Sequence, residues 1–481
     1  MFPSDAVPHS SCRERRDCAP KLKRSNLSLW AGDDTVAHAS VAESWGVFPR
    51  GPASTPVATT WRSSATTTTQ EWTELMPRHD TIVSVTASVV KSPSRAADAT
   101  SPDAPEDVRD WRRGKVANPM TKYPEFRDDR PSSNGRDSGR TVIVQVESAS
   151  GEIGIGTTNG GLATAAIVEL HLADIVEGQS AFAHEAVSDR MIRSTLLYGR
   201  KGIVLHAISA VDLAIWDLHG RLTGMPVFEL LGGSTSIDIP MYATGPLAGP
   251  IEKLGFLGAK LPLTYGPSEG EEGFRRNVER AKRARDAVGD DFPLYFDCWM
   301  SLDVDYAVRL AEAVEPLGFR WLEEPLRPDD YAGHAELRRR MPASMTLNTG
   351  EHEYTAAGFR LLCEAGVDIL QPDPTWCGGI TEMKRIAAVA SSYGKRIIPH
   401  VGGVYSYHFL SAYSEATFAE FPVMRGDCDS IVPFQAPLLL GEPLPVDGHV
   451  APTGAPGFGL DLNPEFELVR PISRELLEEF A

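Results

Sequence analysis

From about residue 237 onward, short apolar runs alternate with helix-like stretches: "IDIPMYATG", "GFLGAKLPL", "PLYFDCW", "FRWLEEPL", "MTLNTGEHE", "VDILQPDP", "GKRIIPHV" and "FAEFPV". Parallel strands need crossover connections and are covered on both faces, so apolar runs separated by helical inserts are the pattern of a parallel α/β barrel. A doubly wound sheet shows the same alternation. It is the weaker reading, because no glycine-rich phosphate fingerprint follows the first strand.

The chain before residue 237 reads differently. "TIVSVTASVV" (81 to 90) is strand-like, "TVIVQVES" (141 to 148) alternates as a strand, and "GEIGIG" turns back to make a hairpin. In "HAISAVDLAIWDLHGRLTG", Ile208, Val211, Ile215, Leu218 and Leu222 fall on one helical face, with Gly224 as the stop and Pro226 beyond it. Residues 1 to 75, with "SSCRERRDCAPKLKRSNLSLW" and "SSATTTTQ", sustain neither period and read as a disordered extension. A transit peptide is the alternative, which the interspersed acids Glu14, Asp17, Asp33 and Asp34 weaken.

A length of 481 residues calls for two structured domains. The formal charge of -18 argues against nucleic-acid binding, which requires a basic stripe, and no stripe of any length is found; small molecules are the expected partners. No run of about eighteen apolar residues is present, so no membrane partner is expected, and the N-terminus lacks a signal-peptide core. Six cysteines without metal-site or disulfide-framework spacing suit a reducing compartment, hence a cytoplasmic location. Cys298, Cys363 and Cys377 sit in apolar surroundings and read as inert core thiols.

Strands three to eight each end in an ionisable residue: Asp297, Glu323, Glu351 with His352, Asp373, His400 and Glu420. In a parallel barrel those ends meet at one mouth. Asp297, Glu323 and Glu351 come from successive strands, and three converging carboxylates repel unless a hard cation neutralises them. Oxygen ligands suit Mg2+ or Mn2+ better than zinc. Any one of the three alone would read as a solvated strand end; three in succession do not. "HEYTA" is no zinc helix, since Ala356 stands where its second histidine would be. His400 lies one strand-helix-strand unit after Asp373, and a carboxylate there can fix the imidazole tautomer and raise its basicity, as a general base needs. Glu353 reads as surface.

Together, Asp297, Glu323 in "WLEEP", Glu351 in "GEH", Asp373 in "QPDPTWCGG" and His400 in "IPHVGGVYSYHF" resemble the enolase superfamily, mandelate racemase subgroup, and within it most closely the L-rhamnonate dehydratases. "SAVDLAIWDLHGRLTGMPVFELLGG" is similar to the subgroup's domain junction, and "PLLLGEPLPVDGHV" with "PGFGLDLN" to its C-terminal return. The resemblance covers roughly residues 80 to 475. It implies an α/β fold: a modified TIM barrel, (β/α)7β, at 236–425, with an N-terminal α+β capping domain at 76–235. The cap would carry a lid at about 104–140, and a C-terminal segment, 426–481, would return to it.

The implied activity is that of a hydro-lyase acting on a sugar acid, with one Mg2+ per subunit (Mn2+ the alternative) held by Asp297, Glu323 and Glu351. By the same resemblance His400, oriented by Asp373, takes the C2 proton, and loss of the C3 hydroxyl gives a 2-keto-3-deoxy acid. Glu420 would hydrogen-bond the substrate carboxylate, and His352 would touch the substrate or assist hydroxyl departure. The subgroup's K-x-K motif reads "KLP" here. Lys260 remains for substrate binding, but Pro262 replaces the second lysine, which favours dehydration over racemisation. "NPMTKYPEFRDDR" (118 to 130) is similar to the family's lid, with Arg130 matching its substrate-binding arginine. Asp110 precedes Trp111 where L-rhamnonate dehydratases carry a substrate-binding histidine, leaving a different aldonate open as substrate. A racemase or epimerase, and a barrel that only binds its ligand, are the other open readings. A homo-oligomer is also implied.

Overall fold

The computed structural model describes residues 80–90, 111, 114–127, 139–414 and 416–475. The N-terminal extension at 1–75, Asp110, Arg130 and most of the lid at about 104–140 lie outside the described residues.

The first structured layer is an antiparallel sheet of β1 (Ile82–Val90), β2 (Val142–Ser148) and β3 (Ile153–Thr158), to which a short strand from the far end of the chain, Leu468–Val469, adds beside β1. Helices α1 (His184–Thr195) and α2 (Ile203–Thr223) follow. Of the stripe on α2, Ile208, Val211, Ile215 and Leu218 lie within the core under this sheet and Leu222 packs against it, while Leu213 and Trp216 on the opposite side join the barrel core. The helix is therefore apolar on both sides. It is long and apolar enough to cross a bilayer, but 83% of its most apolar window is buried inside the fold, as in a core helix. Gly224 closes it in the left-handed conformation, φ 70°. The glycines of "GEIGIG" allow close helix-to-strand contact: a Cβ on Gly154 or Gly156 would come within 2.1 Å of Ala214 O or 2.0 Å of Ala210 O.

All eight apolar runs after residue 237 form strands: β4 (Ile239–Thr244), β5 (Ala259–Pro262), β6 (Leu294–Asp297), β7 (Phe319–Glu323), β8 (Thr346–Thr349), β9 (Ile369–Leu370), β10 (Arg396–Ile397) and β11 (Ala419–Pro422). Each pairs in parallel with its neighbour in chain order, β11 returns beside β4, and the two ends of the sheet meet at a parallel bridge between Ile397 and Ala416. The crossovers are α3 (Ala248–Lys253), α4 (Gly270–Val288), α5 (Val304–Val314), α6 (Tyr331–Arg340), α7 (Thr355–Glu364), α8 (Gly379–Ser392) and α9 (Val404–Ala412). Eight parallel strands joined by seven crossover helices make the (β/α)7β arrangement. One detail differs from the sequence reading: Glu420 is the second residue of β11, with its side chain buried, rather than the strand end.

Side-chain alternation explains how the mouth is furnished. Tyr242, Tyr295, Trp321, Ile369 and Ile398 form an aromatic and aliphatic plug, with the Tyr295 and Trp321 rings stacked. Two residues further along the same chain segments come Asp297, Glu323, Gln371 and His400, so the period of two puts each on the inward face, toward the C-terminal mouth. The C-terminal return is pinned by buried Asp217, which accepts from Phe458 N at 2.8 Å and Ile155 N at 2.9 Å. Arg470 also forks onto buried Glu169 at 2.6 and 2.7 Å. Cys298, Cys363 and Cys377 are free and buried.

Two histidines outside the mouth set an acid limit on stability. Burial, with His219 and Lys384 nearby, lowers His184 to about 3, and burial lowers His408 to about 4. Their folded values lie below the unfolded 6.5, so their contribution is fully present above pH 6.5 and is lost as pH falls through 6.5 toward 4 and 3. At pH 5 each costs roughly 2 kcal/mol, at about 1.4 kcal/mol per pH unit. The buried carboxyls of Asp212, Glu323 and Glu351 are raised and act with the opposite sign over the same range, so the check is site-specific. NMR of the imidazole nitrogens should find His184 and His408 neutral at pH 5, and protonation of either there would contradict its burial in neutral form.

Candidate active site

The structure brings Asp297, Glu323, Glu351, His352, Asp373, His400, Glu420 and Lys260 together at the barrel mouth. Asp297 and Glu323 end adjacent strands in direct register. Glu351 and His352 sit in the turn after β8, closed by a hydrogen bond from Glu353 N to Gly350 O at 3.0 Å. His400 Nδ1 lies 2.8 Å from Asp373 Oδ2. The other oxygen of Asp373 accepts from Thr375 N and Oγ1, both at 2.6 Å, so the carboxylate is held on both sides. With Nδ1–H donated to Asp373, His400 Nε2 is the nitrogen left to exchange a proton, and it lies 3.6 Å from Glu351 Oε2. Lys260, only 1% exposed, is enclosed by Glu323 and by Glu420 at 2.8 Å. Glu420 also accepts from Thr244 Oγ1 and from Val401 N.

Two residues of the site escaped the sequence reading. Glu324 accepts from His352 through Nδ1 at 2.8 Å and through the backbone N–H at 3.2 Å, making a second histidine–carboxylate pair beside the first. Trp376 has its ring centroid 5.1 Å from that of His400 and 5.5 Å from that of His352. The doubled carboxylate in "WLEEP" and the tryptophan three residues after Asp373 were the available signals. The reading of Glu353 as surface is corrected: it is 1% exposed and paired with Lys201.

Backbone strain collects at the same place. Trp299, Met300, Glu324, Thr355 and Val401 have φ of 40°, 61°, 41°, 61° and 28°, and all follow barrel strands within a few residues. Non-glycine residues held there cost of order 1–3 kcal/mol each and gather at active sites, where the surroundings enforce them.

Electrostatics supply the test for a cation. Burial, together with Asp297, Glu420 and Glu351, pushes Glu323 up to about 8 despite Lys260. Burial, with Glu324 and Asp297, pushes Glu351 up to about 7. Burial would lower the histidines, yet His400 is raised to about 10 by Glu351, Asp373 and Glu420, and His352 to about 9 by Glu324 and Glu351. Burial is the larger cause for the two carboxyls and neighbouring negative charge adds to it, while the histidines rise against their burial through that negative charge alone. Glu323 Oε2 is also buried without a hydrogen-bond partner. A divalent cation taking oxygen ligands answers both facts, so the residues fit Mg2+. Glu324, Glu351 and His352 form a rival cluster, their ligand atoms within 4.8 Å of one another. Glu324 is already engaged twice by His352, whereas Glu323 has an oxygen to spare. The strand-end set of Asp297, Glu323 and Glu351 is the better fit.

A parallel barrel with a sheet-and-helix cap, acidic residues on successive strand ends and a histidine–aspartate pair beside them define a recognisable class. The chain belongs to the mandelate racemase/muconate lactonizing enzyme family of the enolase superfamily: residues 127–232 match that family's N-terminal domain and residues 249–466 the enolase C-terminal domain-like family. L-rhamnonate dehydratase of Saccharopolyspora erythraea is 50% identical over 366 residues, covering 76% of this chain and 94% of that protein. The crystal structure of rhamnonate dehydratase from Gibberella zeae, complexed with Mg, aligns with TM-score 0.76 and 35% identity over 81% of this chain and 95% of its own. A racemase from Streptomyces coelicolor with bound magnesium aligns with TM-score 0.63 and 26% identity over 79% of this chain and 97% of its own.

Proposed function

We propose that this chain is a magnesium-dependent acid-sugar dehydratase that takes L-rhamnonate, or an aldonate close to it, to the 2-keto-3-deoxy acid. The observation that carries the reading is His400, held by Asp373, at the same mouth as Asp297, Glu323 and Glu351. The 50% identity to an L-rhamnonate dehydratase over nearly that protein's full length supports the substrate class. On this reading the cap occupies 76–235, the barrel 236–425 and the return 426–481, and the chain assembles as a homo-oligomer. The separate cores beneath β1–β3 and around the barrel support the first division.

Mg2+ held by Asp297, Glu323 and Glu351 would lower the cost of the negative charge that develops on the substrate carboxylate as the C2 proton leaves. Asp373 keeps the His400 proton on Nδ1, so Nε2 receives the C2 proton. His352, fixed by Glu324, is placed to pass a proton to the departing C3 hydroxyl. Glu420 would hydrogen-bond the enediolate form of the substrate carboxylate, which requires it to be protonated or metal-compensated at that moment, since Lys260, against its burial, holds its carboxyl down at about 2. Lys260 is enclosed by two carboxylates and is no base for the opposite face of C2, which supports dehydration over racemisation.

The test is a panel of aldonates, L-rhamnonate included, incubated with purified protein and scored for 2-keto-3-deoxy product. Turnover should vanish with EDTA and return with Mg2+. Failure to dehydrate any aldonate would overturn the reading, and C2 deuterium exchange without dehydration would move it to a racemase.

A further inference from the structure

We propose that Lys201 and Glu353 form a clasp between cap and barrel that positions the turn bearing Glu351 and His352, so that Glu353 is a positioning residue for the reaction. This inference rests on the dehydratase reading above. Lys201 lies in the connection just before α2, while Glu353 is the last residue of the turn after β8. Lys201 Nζ is 2.8 Å from Glu353 Oε1, 2.8 Å from Asp329 Oδ1 and 2.9 Å from the Tyr331 hydroxyl, which itself donates to Glu353 Oε2. Asp329 and Tyr331 belong to the segment after β7, the strand that ends in Glu323. One ammonium from the cap thus ties down the segments that follow two of the three candidate cation carboxylates.

The Glu353 carboxylate sits in a fitted place. Its Oε1 also accepts from Tyr354 N at 2.7 Å. Gly358, one turn into α7, makes room for it: a Cβ there would meet Glu353 Oε1 at 2.2 Å. The consequence for the site follows from the turn. Glu353 N–H closes the turn onto Gly350 O, and Glu351 and His352 are its two corner residues. Anchoring the fourth residue sets the direction of both corners. A second line runs parallel to the first. His206 of α2 lies 3.2 Å from the Tyr354 hydroxyl and stacks on Trp376, whose ring lies beside His352 and His400. The start of α2 thus reaches the turn and, through Trp376, both histidines, without touching the reacting centre.

Three variants test the clasp: Glu353→Gln, Lys201→Met, and Gly358→Ala, which leaves every charge in place and displaces only the carboxylate. Each should lower kcat by about 10- to 100-fold with KM little changed, as for a misplacement of about an ångström. Each should also weaken Mn2+ binding, followed by electron paramagnetic resonance, by roughly tenfold. Lys201→Arg should restore most of both. The clasp is overturned if all three variants bind Mn2+ and turn over within about twofold of wild type, or if their losses only follow lowered melting temperatures. Should wild type dehydrate no aldonate, the functional reading fails, and the Mn2+ affinities of the same variants still decide the clasp.

Discussion

Replacing His400 with asparagine should lower kcat by about a hundred- to ten-thousandfold and abolish C2 deuterium exchange, with KM close to wild type, because general-base catalysis contributes on that scale. Asparagine can still donate to Asp373 but has no basic lone pair to accept the C2 proton. The surrounding structure has little reason to move. His400 is partly exposed, and Asp373 keeps its two bonds from Thr375. The substrate carboxylate would still meet the same strand ends, so binding survives while chemistry does not. A variant that kept C2 exchange but lost dehydration would assign the proton transfer elsewhere, with His352, held by Glu324, the nearest candidate.

The barrel was legible because its strands are buried on both faces and therefore stand out as short apolar runs, down to β9 and β10, which pair over only two residues each. The mouth was legible for a related reason: an ionisable residue that interrupts or ends such a run is costly unless it has a purpose there. What stayed hidden depends on contacts across long stretches of chain. Glu353 looked like one of three charges in a row, and its partner Lys201 lies 152 residues earlier, in the cap. Glu324 was hidden by backbone geometry. A strand continuing past Glu323 would send Glu324 to the opposite face, but its φ of 41° turns the chain and lets it reach His352. Glu420 lies inside its strand because β11 is bounded by its pairing with β4, which the apolar run alone does not reveal.

Glu323→Gln should abolish turnover and the rise in melting temperature that Mg2+ gives wild type, while leaving the metal-free melting temperature unchanged or higher. Two effects compete in the metal-free protein. Where Glu323 is ionised, above its raised value of about 8, glutamine removes both an ion pair with Lys260 and a buried charge crowded by Asp297, Glu351 and Glu420; below it, glutamine replaces a neutral acid of nearly the same shape. Breaking a buried pair costs about 3–5 kcal/mol when it strands the partner charge. Lys260 is not stranded, because Glu420 remains 2.8 Å away. The relief of repulsion therefore offsets or exceeds the loss, and Glu323 Oε2, which has no protein partner, gives up no hydrogen bond. With cation present the balance inverts. A ligand at a hundred times its Kd stabilises the folded state by about 2.7 kcal/mol, and that increment disappears with the third carboxylate. Thermal melts with and without Mg2+ separate the terms. A large fall in the metal-free midpoint would mean that the Lys260–Glu323 pair holds the mouth together by itself; a retained Mg2+ shift would place the cation on Glu324, Glu351 and His352 instead.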